Sequence, residues 1–246
     1  MSLPAAERSW VPLTPRERRV LGVMVEKAKT TPEYYPMTLA AIVTGCNQKS
    51  NRDPVTNYDA DDVEDILQDL RQKGAVIKIE GSGRVVRWKH TLYDWLKVSK
   101  VELAVLAELM LRGMQTEGDL RARASRMEPL PDLPALQSVL EELAGRDLVI
   151  HLSPPGRKRG VLVSHGLYPP AERERVLQEA AQENAAAAHE ERPASTRVGG
   201  VDSHARAESL ATGDEVATLR SELDALRETV RALAAEVRDL KTSLGA

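Results

Sequence analysis

The sequence predicts a mainly α-helical α+β protein with small β-hairpins: two tandem winged-helix domains, a flexible linker and a C-terminal coiled-coil helix. Three observations predict it. Three helical patterns followed by a hairpin pattern occur twice in succession. The two runs stay in step at their ends: Val76-Ile77-Lys78-Ile79 corresponds to Val149-Ile150-His151-Leu152, 73 positions on, and Leu92-Tyr93 to Leu167-Tyr168, 75 positions on. An unbroken heptad seam fills the C-terminus. The expected divisions are an N-terminal arm (1–12), a first domain (13–95), a second domain (96–168), an Ala/Glu-rich segment with linker (169–213) and a coiled coil (214–245).

Order begins at Thr14-Pro15-Arg16-Glu17. Thr caps, Pro takes the first helical position where its missing N–H costs nothing, and Glu closes a capping box. Val20, Leu21, Met24 and Val25 follow at helical spacing, predicting a helix to about Lys29. Tyr34–Met37 reads as an extended link, and Thr38 opens a brief helix through Leu39, Ile42 and Val43. The polar stretch Cys46–Val55 interrupts, and Pro54 disfavours helix at Asp53. Asp59 caps a third helix carrying Val63, Ile66, Leu67 and Leu70 on one face, stopped at Gly74. Val76–Glu80 and Arg84–His90 read as strands around a Gly-Ser-Gly turn.

The second run repeats this order. Ser99 and Glu102 form a capping box ahead of Leu103, Val105, Leu106, Leu109 and Met110. Thr116 with Asp119 starts a short helix, Leu133–Leu143 supplies a third, and Val149–Leu152 and Val161–Ser164 flank a wing at Pro154–Gly160. Residues 171–192 are Ala- and Glu-rich and helix-compatible without a strong apolar face; 193–213 collect Pro, Gly, Ser and Thr, as a linker does.

The tail seam is Val216, Leu219, Leu223, Leu226, Val230, Leu233, Val237, Leu240 and Leu244. Leu holds every d position and Val three of the five a positions, a choice that favours a parallel two-stranded coiled coil. The pairs Glu222–Arg227 and Glu236–Lys241 are opposite in charge, and Thr229–Ala234 is neutral. A homodimer through residues 214–245 is expected; the competing reading is a helix folded back on its own domains.

Composition bounds the function. Net charge is −3, which excludes coating nucleic acid by bulk charge but not a local basic patch. Cys46 is the only cysteine, so no intrachain disulfide or thiolate cluster forms. No apolar run approaches the roughly 20 residues of a membrane helix, and the N-terminus lacks the apolar core of a signal peptide. A cytoplasmic protein with no membrane partner is expected. Phosphate-loop, His-Glu-x-x-His and Gly-x-Ser-x-Gly patterns are absent, and the five histidines are scattered. We therefore expect no enzyme, no cofactor, no metal and no catalytic residue.

Charge is distributed unevenly. Asp59, Asp61, Asp62, Glu64, Asp65 and Asp69 load the third helix, the element that ordinarily enters a DNA groove. Acids in a first helical turn also suit the helix dipole. Cations lie in the wings, as Arg84, Arg87 and Lys89 in the first and Arg157, Lys158 and Arg159 in the second. Such tips contact phosphates in some proteins and are merely solvated in others. Arg121, Arg123 and Arg126 crowd the second domain's short helix, and Trp88, Tyr93 and Trp95 are candidates either for base stacking or for packing between the halves.

The stretch Cys46-Asn47-Gln48-Lys49-Ser50-Asn51-Arg52-Asp53-Pro54-Val55, with Tyr-Pro-Met-Thr-Leu upstream, Leu-Arg-x-Lys-Gly downstream and Arg84–His90 beyond, closely resembles the bacterial YceH-like family over about residues 13–168. The resemblance implies paired winged-helix domains and commonly a heptad-bearing terminal helix. It implies no established activity; DNA binding or regulation is inferred there from fold alone. Two partners are expected, DNA as the leading one and a protein, bound without direct DNA binding, as the alternative. Duplex DNA would be held by Lys49 and Arg52 of the loop together with the wing cations. A basic protein would instead be held by the acidic third helices. The loop itself is open between two roles: a hydrogen-bonded structural turn, or a donor-rich contact surface.

Overall fold

In the computed structural model, residues 10–80, 85–157 and 159–190 are described, with side chains to residue 186. Helix α1 (Pro15–Thr30) starts where the sequence predicts. Thr14 accepts from the Glu17 amide and Glu17 accepts in return from Thr14. A single 3-10 turn (Pro32–Tyr34) leads into β1 (Met37–Thr38) and α2 (Leu39–Cys46), the latter capped by Thr38. Helix α3 (Ala60–Gln72) carries an Asp59–Asp62 capping box and buries Val63, Ile66, Leu67 and Leu70. Strands β2 (Val76–Ile79) and β3 (Arg87–His90) follow, then a short α4 (Leu92–Leu96).

The second half repeats the order as α5 (Lys100–Arg112), β4 (Gln115–Thr116), α6 (Glu117–Ala124), α7 (Leu133–Gly145), β5 (Val149–His151) and β6 (Leu162–His165). Each half closes on a three-stranded antiparallel sheet, in the orders β1-β3-β2 and β4-β6-β5. The registers match: Val76 pairs with His90, and Val149 with His165. Sequence reading misses β1 and β4, whose two residues are too few to show alternation, and places Tyr34–Met37 in an extended link instead. The return strand of the second half also ends one residue later than expected, at His165.

The repeat extends to the helix-to-strand corner. Gly74 (φ +77°) and Asp147 (φ +57°) both turn left-handed there. Ala75 and Leu148 then donate back to Leu70 and Leu143. Asp147 lacks glycine's freedom, and Arg173 holds it by two hydrogen bonds, 2.8 and 3.2 Å. Gly166 packs on that corner: a Cβ there would lie 1.9 Å from the Asp147 carbonyl oxygen.

One hydrophobic core runs from Trp10 to Leu167, so the two halves share an interior across the expected boundary at 95/96. Its centre is α1 against α5, where Gly22 lets Leu111 approach; a Cβ at Gly22 would come 2.9 Å from Leu111 Cγ. Helix α8 (Pro170–Glu190) docks by specific contacts rather than an apolar stripe. Glu172 pairs with Arg18, Ala180 is buried, and Asn184 donates to Leu152 and accepts from Arg157. All of these elements lie in one unit, Met1–Arg192. The expected wing tip with Arg84, the residue Lys158, the linker and the whole heptad seam from Val216 to Leu244 lie outside the described residues. No helix among the described residues is long and apolar enough to cross a membrane.

Candidate functional site

The Cys46–Val55 stretch resolves into a structured loop between α2 and α3. Cys46 is the last helical residue and is fully buried, which pushes its thiol pKa up to about 12. Asn47 clamps the loop across its base: its amide donates to the Tyr58 carbonyl (2.7 Å) and accepts from the Tyr58 N–H (2.8 Å). Thr56 adds a bond to the Cys46 carbonyl. Asn51 turns left-handed (φ +58°), a conformation its short polar side chain tolerates.

Arg52 points inward. Its side chain has no exposure, and its donors reach Gly45 O (2.9 Å), Asn51 O (2.7 Å), Gln48 Oε1 (2.8 Å) and Glu26 Oε2 (2.5 Å). The expectation that Arg52 presents its charge to an outside acceptor gives way to this burial. Removing a guanidinium from water is tolerable only where acceptors replace the lost hydration, and α1, α2 and the loop itself supply them.

The network continues into the second half. Glu26 also receives Arg126 (2.5 Å), Arg126 bonds Glu108 (3.2 Å), and Glu108 lies 3.0 Å from Arg112 as an ion pair. Arg112 donates to Asn51 (2.8 Å), which returns the chain of contacts to the loop. Asp53 N–H bonds the Leu111 carbonyl, and Arg19 donates to Pro54 O (2.5 Å). Burial alone would raise the Glu26 carboxyl; the two arginines outweigh it and hold the pKa below the ordinary range. The loop is therefore the joint between the halves.

The other predicted residues divide by environment. Lys49, Ser50, Asp53, Pro54 and Val55 are exposed on the outer side of the loop. Arg87 and Lys89 lie exposed on the outer face of the first sheet, where Arg87 also bonds Pro36 O. Arg157 is engaged by Asn184 Oδ1 (2.6 Å) and by Arg159 O (2.8 Å), while Arg159 is exposed. Arg121, Arg123 and Arg126 all spend donors within the second half or on Glu26. Trp88 is core, and Trp95 donates to Lys73 O, so neither is free to stack on a base.

Helix α3 carries an acidic surface, with Arg71 its one exposed cation. Asp59 and Asp62 are used in the cap, and Asp62 also pairs with Arg16. Asp61, Glu64, Asp65 and Asp69 are exposed on the face opposite the buried stripe. Helix α7 exposes Glu141 and Glu142 and contains no lysine or arginine. Among the described residues no group of three or more His, Cys, Asp or Glu is placed to hold a metal.

For His90, His151 and His165, in or beside the wing strands, the sequence leaves a structural or a solvated role; His90 and His165 are buried and structural, and His151 is exposed. His90 and His165 occupy the same register position in the two sheets, each three residues before a tyrosine that it contacts (ring centroids 5.7 and 3.9 Å). Burial, aided by Lys89 and Lys29, lowers His90 to about 4; burial and Arg18 push His165 well below the ordinary value. The shared His-x-x-Tyr spacing was the available signal.

Comparison with known proteins places these features in context. The family described as "Protein of unknown function, DUF480" matches residues 13–157, which include the loop, the first sheet and the buried network and stop short of β6, the central strand of the second sheet. The chain is 49% identical over 177 residues to UPF0502 protein RB6530 of Rhodopirellula baltica, covering 72% of this chain and 74% of that one. It is 40% identical over 216 residues to a UPF0502 protein of Pelobacter propionicus, covering 87% and 93%. With UPF0502 protein GSU0233 of Geobacter sulfurreducens it shares 52% over 145 residues, 58% and 66% of the two chains.

Proposed function

The chain belongs to the DUF480 (UPF0502) family of bacterial proteins of unknown function, and from that starting point we propose that it is a non-enzymatic, tandem winged-helix protein that docks a protein partner with a basic surface. The winged-helix reading rests on the repeated order of helix, short strand, helix, helix and hairpin. The YceH-like attribution within the family, a cytoplasmic location and a homodimer joined through residues 214–245 are part of the same reading. Two copies would present two acidic faces to one partner, raising avidity without new contacts.

The observation that carries the choice of partner is the exposed face of α3. A winged helix that reads DNA normally seats this helix in the major groove. Here Asp61, Glu64, Asp65 and Asp69 would meet phosphates, where like charges repel. The same carboxylates complement a Lys/Arg-rich protein surface, steering encounter and fixing orientation. The loop does not reverse this balance, because Arg52 is committed to Glu26.

A second reading, duplex DNA held by its backbone, is favoured by one observation. Arg87 and Lys89 share the outer face of the first sheet, with Lys49 and Arg159 exposed elsewhere. Titrating the full chain with a labelled duplex over a salt series separates the two. The protein-partner reading expects no salt-dependent binding. Binding that weakens steeply with salt and falls in a K49A/K89A/R159A variant would establish the DNA reading instead.

A further inference from the structure

A cavity of about 390 Å³ opens between the two halves, bounded by the start of α1, the end of the loop, the end of α5 and the first turns of α8. Its volume is in the range that holds small organic ligands. The walls mix apolar groups (Pro15, Met110, Met114, Val176) with Arg19 and His165.

Arg19 is the unusual member. It is 3% exposed, and among the described residues its only hydrogen-bond acceptor is the Pro54 carbonyl. Its other terminal nitrogen, Nη1, is buried without a partner. The neighbouring cations are already matched: Arg18 by Glu172 and Arg112 by Glu108. No carboxylate forms an ion pair with Arg19 among the described residues; the exposed Asp53 attracts it only weakly, less than the like charge of Arg52 repels it. His165 Nδ1, in the same cavity, is also buried and unpartnered. A buried guanidinium with an unfilled donor is costly, and such orphans in native proteins ordinarily mark a missing water, ion or ligand.

The geometry points to a ligand site here for a small amphipathic monocarboxylate. Its carboxylate pairs with Arg19, reached by rotation of the guanidinium out of its covered position, and takes a further hydrogen bond from His165. Its apolar body lies on Met110, Met114 and Val176. The charge of the rim selects a monoanion. Asp53 and Glu179 stand exposed at the lining and repel a phosphate or other multivalent anion more strongly than a monoanion, while a single carboxylate matches the one arginine of the lining that has no ion pair among the described residues. Because the cavity is walled by both halves and by α8, an occupant adds contacts across the same joint that the Arg52 network closes. This site is independent of the α3 surface and does not rest on it.

The test is calorimetric titration of the full chain with acetate, butyrate and hexanoate at constant ionic strength, with hexanol and inorganic phosphate as controls. Saturable binding that strengthens from acetate to hexanoate, and that is absent with hexanol and phosphate, is the expected result. Arg19→Met removes the charge at similar length and weakens hexanoate by about tenfold or more. Val176→Trp fills the cavity from its half-buried edge with Arg19 intact, so it decides the matter if Arg19→Met does not fold; the same loss is expected. No saturable carboxylate binding, equal binding of hexanol, or undiminished binding in the variant that folds would overturn the assignment.

Discussion

Arg52 Nη2 meets Glu26 Oε2 at 2.5 Å, with side chains 0% and 3% exposed, at the joint between the two halves. Glu26 also takes Arg126 from the second half, so one carboxylate ties the loop to both. Truncating Arg52 leaves Glu26 with Arg126 alone and takes the donor from Gly45 O, Asn51 O and Gln48 Oε1. We expect Arg52→Met to lower unfolding free energy by roughly 3 kcal/mol, the low end for a broken buried pair. Arg52→Lys should recover little, since one ammonium cannot span the four acceptors that the planar fork reaches. Urea denaturation followed by circular dichroism checks both. Lys49→Ala, on the exposed side of the same loop, should change stability by less than about 0.5 kcal/mol.

The Gly166–Asp147 corner makes a second demand. An added methyl at 166 would meet backbone at 1.9 Å, with no flexible side chain to yield. Gly166→Ala should cost about 3 kcal/mol or more, the upper end of overpacking effects, seen as a large drop in Tm or loss of folded protein. The equivalent residue in the first half is Thr91, so the restriction belongs to the second corner alone.

Buried His90 and His165 make stability fall in mild acid. Both have folded-state pKa values below the unfolded value near 6.5, so the unfolded chain binds more protons as pH drops. Their stabilising contribution is full above about pH 6.5 and is lost progressively as pH falls toward about 4, the His90 value. Glu26, whose pKa is lowered instead, adds its own loss as pH falls below its ordinary value of 4.5. Tm measured from pH 7.5 to 4 should decline through this window, and His90→Gln should flatten the decline. A Tm independent of pH between 7 and 5 would contradict it.

Much of the fold was legible because its signals are local. Thr14 and Ser99 announce helix starts through capping boxes that need only four residues of sequence, and Asp59 does so as a cap, whose return bond from Asp62 the structure adds. The halves' kinship was legible at Val76/Val149 and Tyr93/Tyr168, which the strand registers repeat. The fate of Arg52 was not legible, because its acceptors include a carboxylate 26 positions upstream and a helix-end carbonyl that only the fold brings together. Its neighbours Lys49 and Asn51 have similar donors, and composition alone cannot tell which side chain turns inward. Helix α8 was readable as a helix but not as a docked one, since single contacts through Glu172, Arg173 and Asn184 replace a stripe.

The heptad seam from Val216 to Leu244 predicts the oligomeric state. Light scattering should give a dimer for the full chain and a monomer for residues 1–192. Monomers for both would remove the coiled coil from the account.

The claim on which the functional reading turns is that the exposed face of α3 is the docking surface. Its direct measurement is quantitative capture from the native lysate, comparing the full chain with a D61N/E64Q/D65N/D69N variant at low and high salt. The account predicts a specific partner with a basic surface, retained by the unmodified chain at low salt, reduced at high salt and lost with the variant. Equal recovery of the same partners by both proteins would contradict it.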